Sequence, residues 1–229
     1  MKTLTVVIPC LNEEKTVSVC IEKCKKSFEK LNIDGEVLIA DNGSVDNTVS
    51  IAESLGARVV HCAEKGYGNA LRCGFKNADS EYVLMGDADD TYDFLEIPLL
   101  WNKLTPDIDM VTGSRIRGSI EKGAMPWKNR YIGTPALTFV LNFLYGTKLS
   151  DSQCGMRLMR KSCLDKIEFK TTGMEFASEL WVEFVKHNFK IAEVPISLHK
   201  DLKGRKPHLR PWRDGFRHLK YLIKAKFVG

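Results

Sequence analysis

Short apolar runs alternate with amphipathic stretches through the first half of the chain. Residues 3–9 (TLTVVIP) are apolar without the period of a helix, and a proline ends them, which predicts a buried strand. A helix follows over about 15–31, with Asn12 as its expected N-cap and Glu13 and Glu14 favourable beside its positive end. Residues 36–40 predict a second strand, which runs into the turn cluster 41–46. Asp46 or Asn47 then caps a helix to Leu55, Gly56 closes it, and 57–61 make a third strand. The glycine-containing loop 65–69 leads to a helix through about Lys76, and 82–86 form a fourth strand. Residues 93–104 predict a helix and 109–113 a fifth strand. Strand and helix alternating in this way specify an α/β fold with a mostly parallel sheet.

Beyond Arg117 the alternation stops. Residues 118–129 read as loop, and 131–145 as an apolar helix interrupted by Gly133 and Pro135, expected to pack in the core with lipid contact as its alternative. Residues 150–157 read as a polar turn, 174–188 as an amphipathic helix, and 191–194 as a last strand stopped by Pro195. A domain of residues 1–199 is expected, followed by a basic, amphipathic tail over 200–229.

Charge sharpens that division. The chain of 229 residues carries a net +5, yet residues 200–229 hold ten Lys/Arg and two Asp, or +8, leaving −3 for the rest. A basic tail on a mildly acidic body implies an anionic partner. From Trp212 onward, Phe216, Leu219 and Ile223 extend an apolar stripe beside Arg213, Arg217, Lys220 and Lys224, a pattern suited to an anionic membrane surface. No run approaches the roughly 18 apolar residues of a membrane span, and no secretory leader opens the chain. Seven scattered cysteines without Cys-x-x-Cys spacing predict reduced, buried thiols. These features together predict a cytoplasmic protein, peripheral on the cytoplasmic face of a membrane. A nucleic-acid partner is not expected, because no recognised binding module is present.

The candidate chemistry lies where the fourth strand ends. Asp87 and Asp89 alternate with Ala88, so on extended backbone they point the same way. Two carboxylates aimed at one point repel unless a proton or a cation lies between them, and hard oxygen ligands suit Mg2+ or Mn2+ completed by water and substrate phosphates. Asn12-Glu13, Asp41 and Ser114-Arg115 end other strands, which puts them on the same rim, where ligands of parallel sheets bind.

Three blocks resemble the family 2 glycosyltransferases: residues 6–13, residues 41–48, and the Asp87-Ala88-Asp89 motif. Gly113-Ser114-Arg115, residues 151–157 and residues 192–196 resemble the polyprenyl-phosphate (dolichyl-phosphate) sugar transferases within that family. The resemblance implies a GT-A fold and inverting, metal-dependent transfer from a nucleotide sugar to a polyprenyl phosphate, with UDP-sugar favoured over GDP-mannose. It implies that Pro9, Asn12 and Glu13 line the nucleoside pocket, that Asp41 bonds the base, and that Lys65 or Gly68 lies near the nucleotide. Asp87 would touch the ribose of the nucleotide or the metal, and Asp89 would bind the metal directly, with Thr91 a poor third ligand. Arg115 and Arg157 would hold phosphate, with Asp151 orienting Arg157, and Lys203 and Arg205 would meet the acceptor. A saccharide hydroxyl acceptor would instead need Asp151 or Glu179 as general base. A nucleotidyltransferase is a remote alternative, since residues 9–14 lack a glycine-rich basic loop.

Overall fold

A computed structural model describes residues 2–201 and 211–227. Seven strands form one sheet: β1 Lys2–Cys10, β2 Gly35–Asp41, β3 Arg58–His61, β4 Ser80–Met85, β5 Met110–Ile120, β6 Arg157–Arg160 and β7 Ile191–Leu198. Their order is β3-β2-β1-β4-β6-β5-β7. Only β6 runs antiparallel to its neighbours, β4 and β5. The helices are α1 Val17–Leu31, α2 Thr48–Ser54, α3 Tyr67–Asn77, α4 Ile97–Lys103, α5 Thr134–Tyr145, α6 Lys161–Leu164, α7 Phe176–Lys186 and α8 Pro211–Phe227.

Side chains alternate across the central strands. Val6 and Ile8 of β1, Ile39 of β2 and Leu84 of β4 pack on one side with Val17, Ile21 and Phe94. Val7, Leu38, Val83 and Met85 face the other side with Leu71, Phe176 and Trp181. The sheet is thus covered on both faces, which explains why its strands read as continuous apolar runs.

Several expectations need correction. Asn12 does not cap α1; it has φ 59°, and Thr16 precedes the first helical residue. Strand β5 continues to Ile120, through the span expected to be loop. Strand β6 replaces the end of the expected polar turn, because Arg157 is buried there. Strand β7 passes through Pro195. It can do so because β7 is an edge strand, where a missing N–H leaves one ladder position unpaired. The segment 131–145 divides into a π-helical turn, Asn129–Gly133, and α5. That helix is only partly core: Leu141 is buried, while Phe139 and Phe143 are 68% and 77% exposed. Cys62 and Cys73 form a disulfide, with Cα atoms 6.0 Å apart, where reduced thiols were expected. The bridge ties the end of β3 to α3 across 11 residues, a spacing that carries no sequence signature. The other five cysteines are buried and not disulfide-bonded.

Candidate active site

The polar loops meet beyond the carboxyl ends of β1, β2 and β4, as the alternation requires. Asn12 bridges two of them. Its Oδ1 accepts from the Val45 amide at 2.8 Å, and its own amide donates to Ser44 Oγ at 3.0 Å. Glu13 is 4% exposed and its amide donates to Thr48 Oγ1 at 2.7 Å. Pro9 is half-buried at the end of β1.

Asp41 shapes its own turn. It accepts from the amides of Gly43 (3.2 Å) and Ser44 (3.0 Å) and pairs with His61 Nδ1 at 3.2 Å. Burial pushes its pKa up, but the Ser44 hydroxyl and amide, with His61 and Gly43, outweigh that and hold it below the usual carboxylate range. Asn42, which sequence reasoning passed over, organises the next loop. It donates to the carbonyls of Cys62 and Glu64 and accepts from the Gly66 amide at 2.7 Å. The ammonium of Lys65 donates to the Asn42 carbonyl at 2.6 Å, so its charge lies at this rim. Gly68 is required by proximity: a Cβ there would lie 2.7 Å from the Thr171 carbonyl.

The paired aspartates are held from several directions. Thr16 Oγ1 donates to the Ala88 carbonyl at 2.6 Å and fixes the loop between them. Asp89 Oδ1 accepts from the amide (3.1 Å) and hydroxyl (2.7 Å) of Thr91, so Thr91 positions the carboxylate. Asp90 turns away to Lys23 at 2.8 Å. Asp87 Oδ1 accepts from the Tyr67 hydroxyl at 3.0 Å. Its Oδ2 lies 2.8 Å from where a Cβ on Gly155 would be, so only glycine fits beside it. Burial, then the charges of Asp89 and Glu13, raise the pKa of Asp87 to about 7 against the opposing pull of Tyr67 and Arg115. A concentration of carboxylates whose negative charge is this poorly balanced suits a divalent cation. The donor set is hard oxygen, as Mg2+ or Mn2+ prefers. No group of three or more His, Cys, Asp or Glu able to hold a metal ion by itself is present among the described residues, so water and substrate oxygens would complete the shell.

Arg115 and Asp151 form a bidentate pair. Arg115 Nε donates to Oδ2 at 2.7 Å, Nη2 donates to Oδ1 at 2.8 Å, and the Arg115 amide adds a bond to Oδ2 at 3.1 Å. Burial works against both charges. Tyr92 and the bonded Asp151 outweigh it at Arg115 and raise its pKa, and Arg115 outweighs it at Asp151 and lowers that one. Glu193, within the last of the resembling blocks, accepts from the Ser150 amide and hydroxyl and so sets the start of the 150–155 loop.

Arg157 does not match its expected role. It is fully buried, donates to the carbonyls of Cys154, Ala177 and Ser152 at 2.9–3.0 Å, and lies 4.8 Å over the Trp181 ring. All three guanidinium nitrogens are used, and Asp151 orients Arg115 instead. Glu179 is also committed: it accepts from the amides of Lys170 (2.7 Å) and Thr171 (2.9 Å) and is 2% exposed. Lys203 and Arg205 lie outside the described residues. Tyr67 and Gly155 could have been suspected only from their places inside candidate loops, since neither residue type is unusual there.

Residues 5–168 match the model of glycosyl transferase family 2. The chain belongs to that family. It is therefore a glycosyltransferase, and its fold is GT-A. It is 41% identical over 222 residues to the low-salt glycan biosynthesis hexosyltransferase of Haloferax volcanii, covering 96% of this chain and 53% of that protein. The chain thus spans about half the length of that relative. It is 30% identical to a dolichyl-phosphate hexose transferase of the same organism, over 97% of this chain and 93% of that one. Glucosyl-3-phosphoglycerate synthase of Mycobacterium tuberculosis shares the fold. Its complex with Mn2+, uridine diphosphate and glucosyl-3-phosphoglycerate superposes with a TM-score of 0.74 at 22% identity, covering all of this chain and 81% of that one. The same enzyme has also been crystallised with Mg2+ and uridine diphosphate.

Proposed function

We propose that this chain transfers a hexose, with inversion, from a nucleoside diphosphate sugar to a polyprenyl phosphate at a membrane surface. The observation that carries the acceptor assignment is that both candidate general bases are committed. Asp151 is locked to Arg115, with a pKa below the ordinary range. Glu179 caps the 170–171 turn. A sugar hydroxyl would need a base to remove its proton. A phosphate monoester needs none, because its second pKa is near 6 and its oxygen is already anionic at neutral pH. The dolichyl-phosphate hexose transferase relative supports the same acceptor class.

The donor would lie across the carboxyl rim. Pro9, Asn12, Glu13 and the Asp41 turn would form the nucleoside side, with Lys65 near the nucleotide. Asp87 and Asp89 would hold Mg2+ or Mn2+, which when bound supplies positive charge to the departing diphosphate. Tyr67 keeps Asp87 aimed, and Thr91 does so for Asp89. Arg115 lies close enough to lower the pKa of Asp87, so its buried guanidinium places a fixed positive charge where phosphate charge develops. The uridine diphosphate complexes of the structural relative favour a UDP-sugar donor.

Thermal stability against a panel of nucleoside diphosphates and nucleotide sugars, with and without Mn2+, tests the donor. A metal-dependent rise for one diphosphate is expected. Transfer of labelled sugar to polyprenyl phosphate, against free saccharide, then tests the acceptor. Transfer to saccharide alone would overturn the phosphate reading.

A further inference from the structure

We infer that α5 and α8 together form a lipid-facing surface, with α5 supplying the side chains that enter the bilayer and α8 much of the charge. The inference rests on the membrane-held acceptor proposed above and names the face of the protein that meets the membrane.

Thirteen large apolar side chains are exposed among the described residues, and eight lie on one stretch and one helix. Trp127, Tyr131, Ile132, Phe139 and Phe143 belong to the turn before α5 and to α5 itself, and Phe139 and Phe143 stack at 6.2 Å. Phe216, Ile223 and Phe227 belong to α8. The two helices pack on each other, with the Tyr145 hydroxyl donating to the Leu222 carbonyl at 2.9 Å.

The helical geometry separates docked from free faces. At about 100° per residue, Phe216, Ile223 and Phe227 fall within about 40° of one another. Asp214, His218 and Leu222, which are buried, lie on the opposite side of α8. An ordinary surface helix turns its apolar stripe inward. This one buries an aspartate and a histidine and presents phenylalanine and isoleucine outward. On α5, Thr134, Thr138 and Leu141 face inward, while Phe139 and Phe143 lie opposite.

Charge selects the occupant. Residues 123–150 contain Lys128, Arg130 and Lys148 and no carboxylate. Five cations lie on α8, and its one carboxylate, Asp214, is buried. A second copy meeting this face through the same surface would bring cation against cation. An anionic bilayer accepts both components: aromatic rings at the headgroup level and cations against the lipid phosphates.

The test is flotation of the full chain with phosphatidylcholine vesicles, with and without phosphatidylglycerol. Wild type is expected to float with the anionic vesicles, and Trp127 emission to shift to shorter wavelength, a shift lost in Trp127→Phe. The double variant Phe139→Ser, Phe143→Ser should lose at least tenfold in partitioning while keeping its melting temperature and its metal-dependent nucleotide response. Lys220→Glu with Lys224→Glu should lose the preference for anionic lipid. Wild type that ignores vesicles while still binding nucleotide would overturn the surface and leave the donor site standing. Undiminished flotation of the Phe139/Phe143 double variant would overturn the role of α5.

Discussion

The Tyr67 hydroxyl donates to Asp87 Oδ1 at 3.0 Å, so the glycine loop before α3 holds the acidic loop after β4. Burial, followed by the Asp87 charge, raises the Tyr67 pKa, so the phenol stays a donor throughout the working pH range. Tyr67→Phe removes one hydrogen bond to a charged group, worth about 1.5–3 kcal/mol. Metal-dependent nucleotide affinity should fall about tenfold or more with the far-ultraviolet spectrum unchanged, as titration calorimetry would show.

Asp89 serves a different purpose. Asp89→Asn keeps the shape and the Thr91 contacts but removes the charge. Calorimetric titration with Mn2+ and nucleoside diphosphate should show metal-dependent binding abolished, and activity should drop by about a hundredfold or more. Normal turnover in this variant would remove Asp89 from the metal site.

Asp151→Asn separates a positioning role from a base. Losing the charge that holds Arg115 should lower activity about a hundredfold and cost about 3 kcal/mol of stability, since a buried guanidinium is left unpaired. The acid limb of the remaining activity should stay near pH 6, where the proposed phosphate acceptor titrates. Were Asp151 the base, the variant's limb would vanish.

Arg157 should behave as a structural residue. Arg157→Met leaves the carbonyls of Ser152, Ala177 and Cys154 without these donors, at a cost of about 3 kcal/mol or more. Urea denaturation should register that loss. At temperatures where the variant remains folded, its KM for acceptor should equal that of wild type.

His218 predicts an acid-sensitive α7–α8 contact. Its ring bonds Ser178 Oγ at 2.8 Å, with Glu175, Asp214, Arg217 and Arg157 around it. Burial lowers its pKa from 6.5 to about 4, so as pH falls the unfolded chain binds this proton first. The contribution is complete above pH 6.5 and is lost on descending to about 4, an effect of up to about 3 kcal/mol. Melting temperature should fall less steeply over that window in His218→Gln than in wild type.

Much of the acidic rim was legible in the sequence because it obeys local rules. Apolar runs marked β1, β2 and β4, and the turn residues after them were bound to gather at one rim. The second half of the chain was harder to read, for two reasons. Arg157 looks like a surface phosphate ligand until three carbonyls are found around it, which no spacing reveals. Phe139 and Phe143 look like core until the protein leaves them uncovered. Both cases turn on how the elements pack in space, and the Cys62–Cys73 bridge turns on how α3 sits beside the end of β3.

The antiparallel strand β6 has a consequence for how the chain must assemble. It is inserted between β4 and β5, although it follows β5 by 36 residues (from Ile120 to Arg157). While the chain is being made, β4 therefore keeps an open edge until Arg157 has emerged, and β5 has no strand joining it to the first four. Unpaired edges invite wrong pairings, and contacts between residues far apart in sequence form slowly. Refolding should show the β3-β2-β1-β4 half protected from hydrogen exchange first. A fragment cut before residue 157 should aggregate along β4 rather than persist as a soluble half-enzyme.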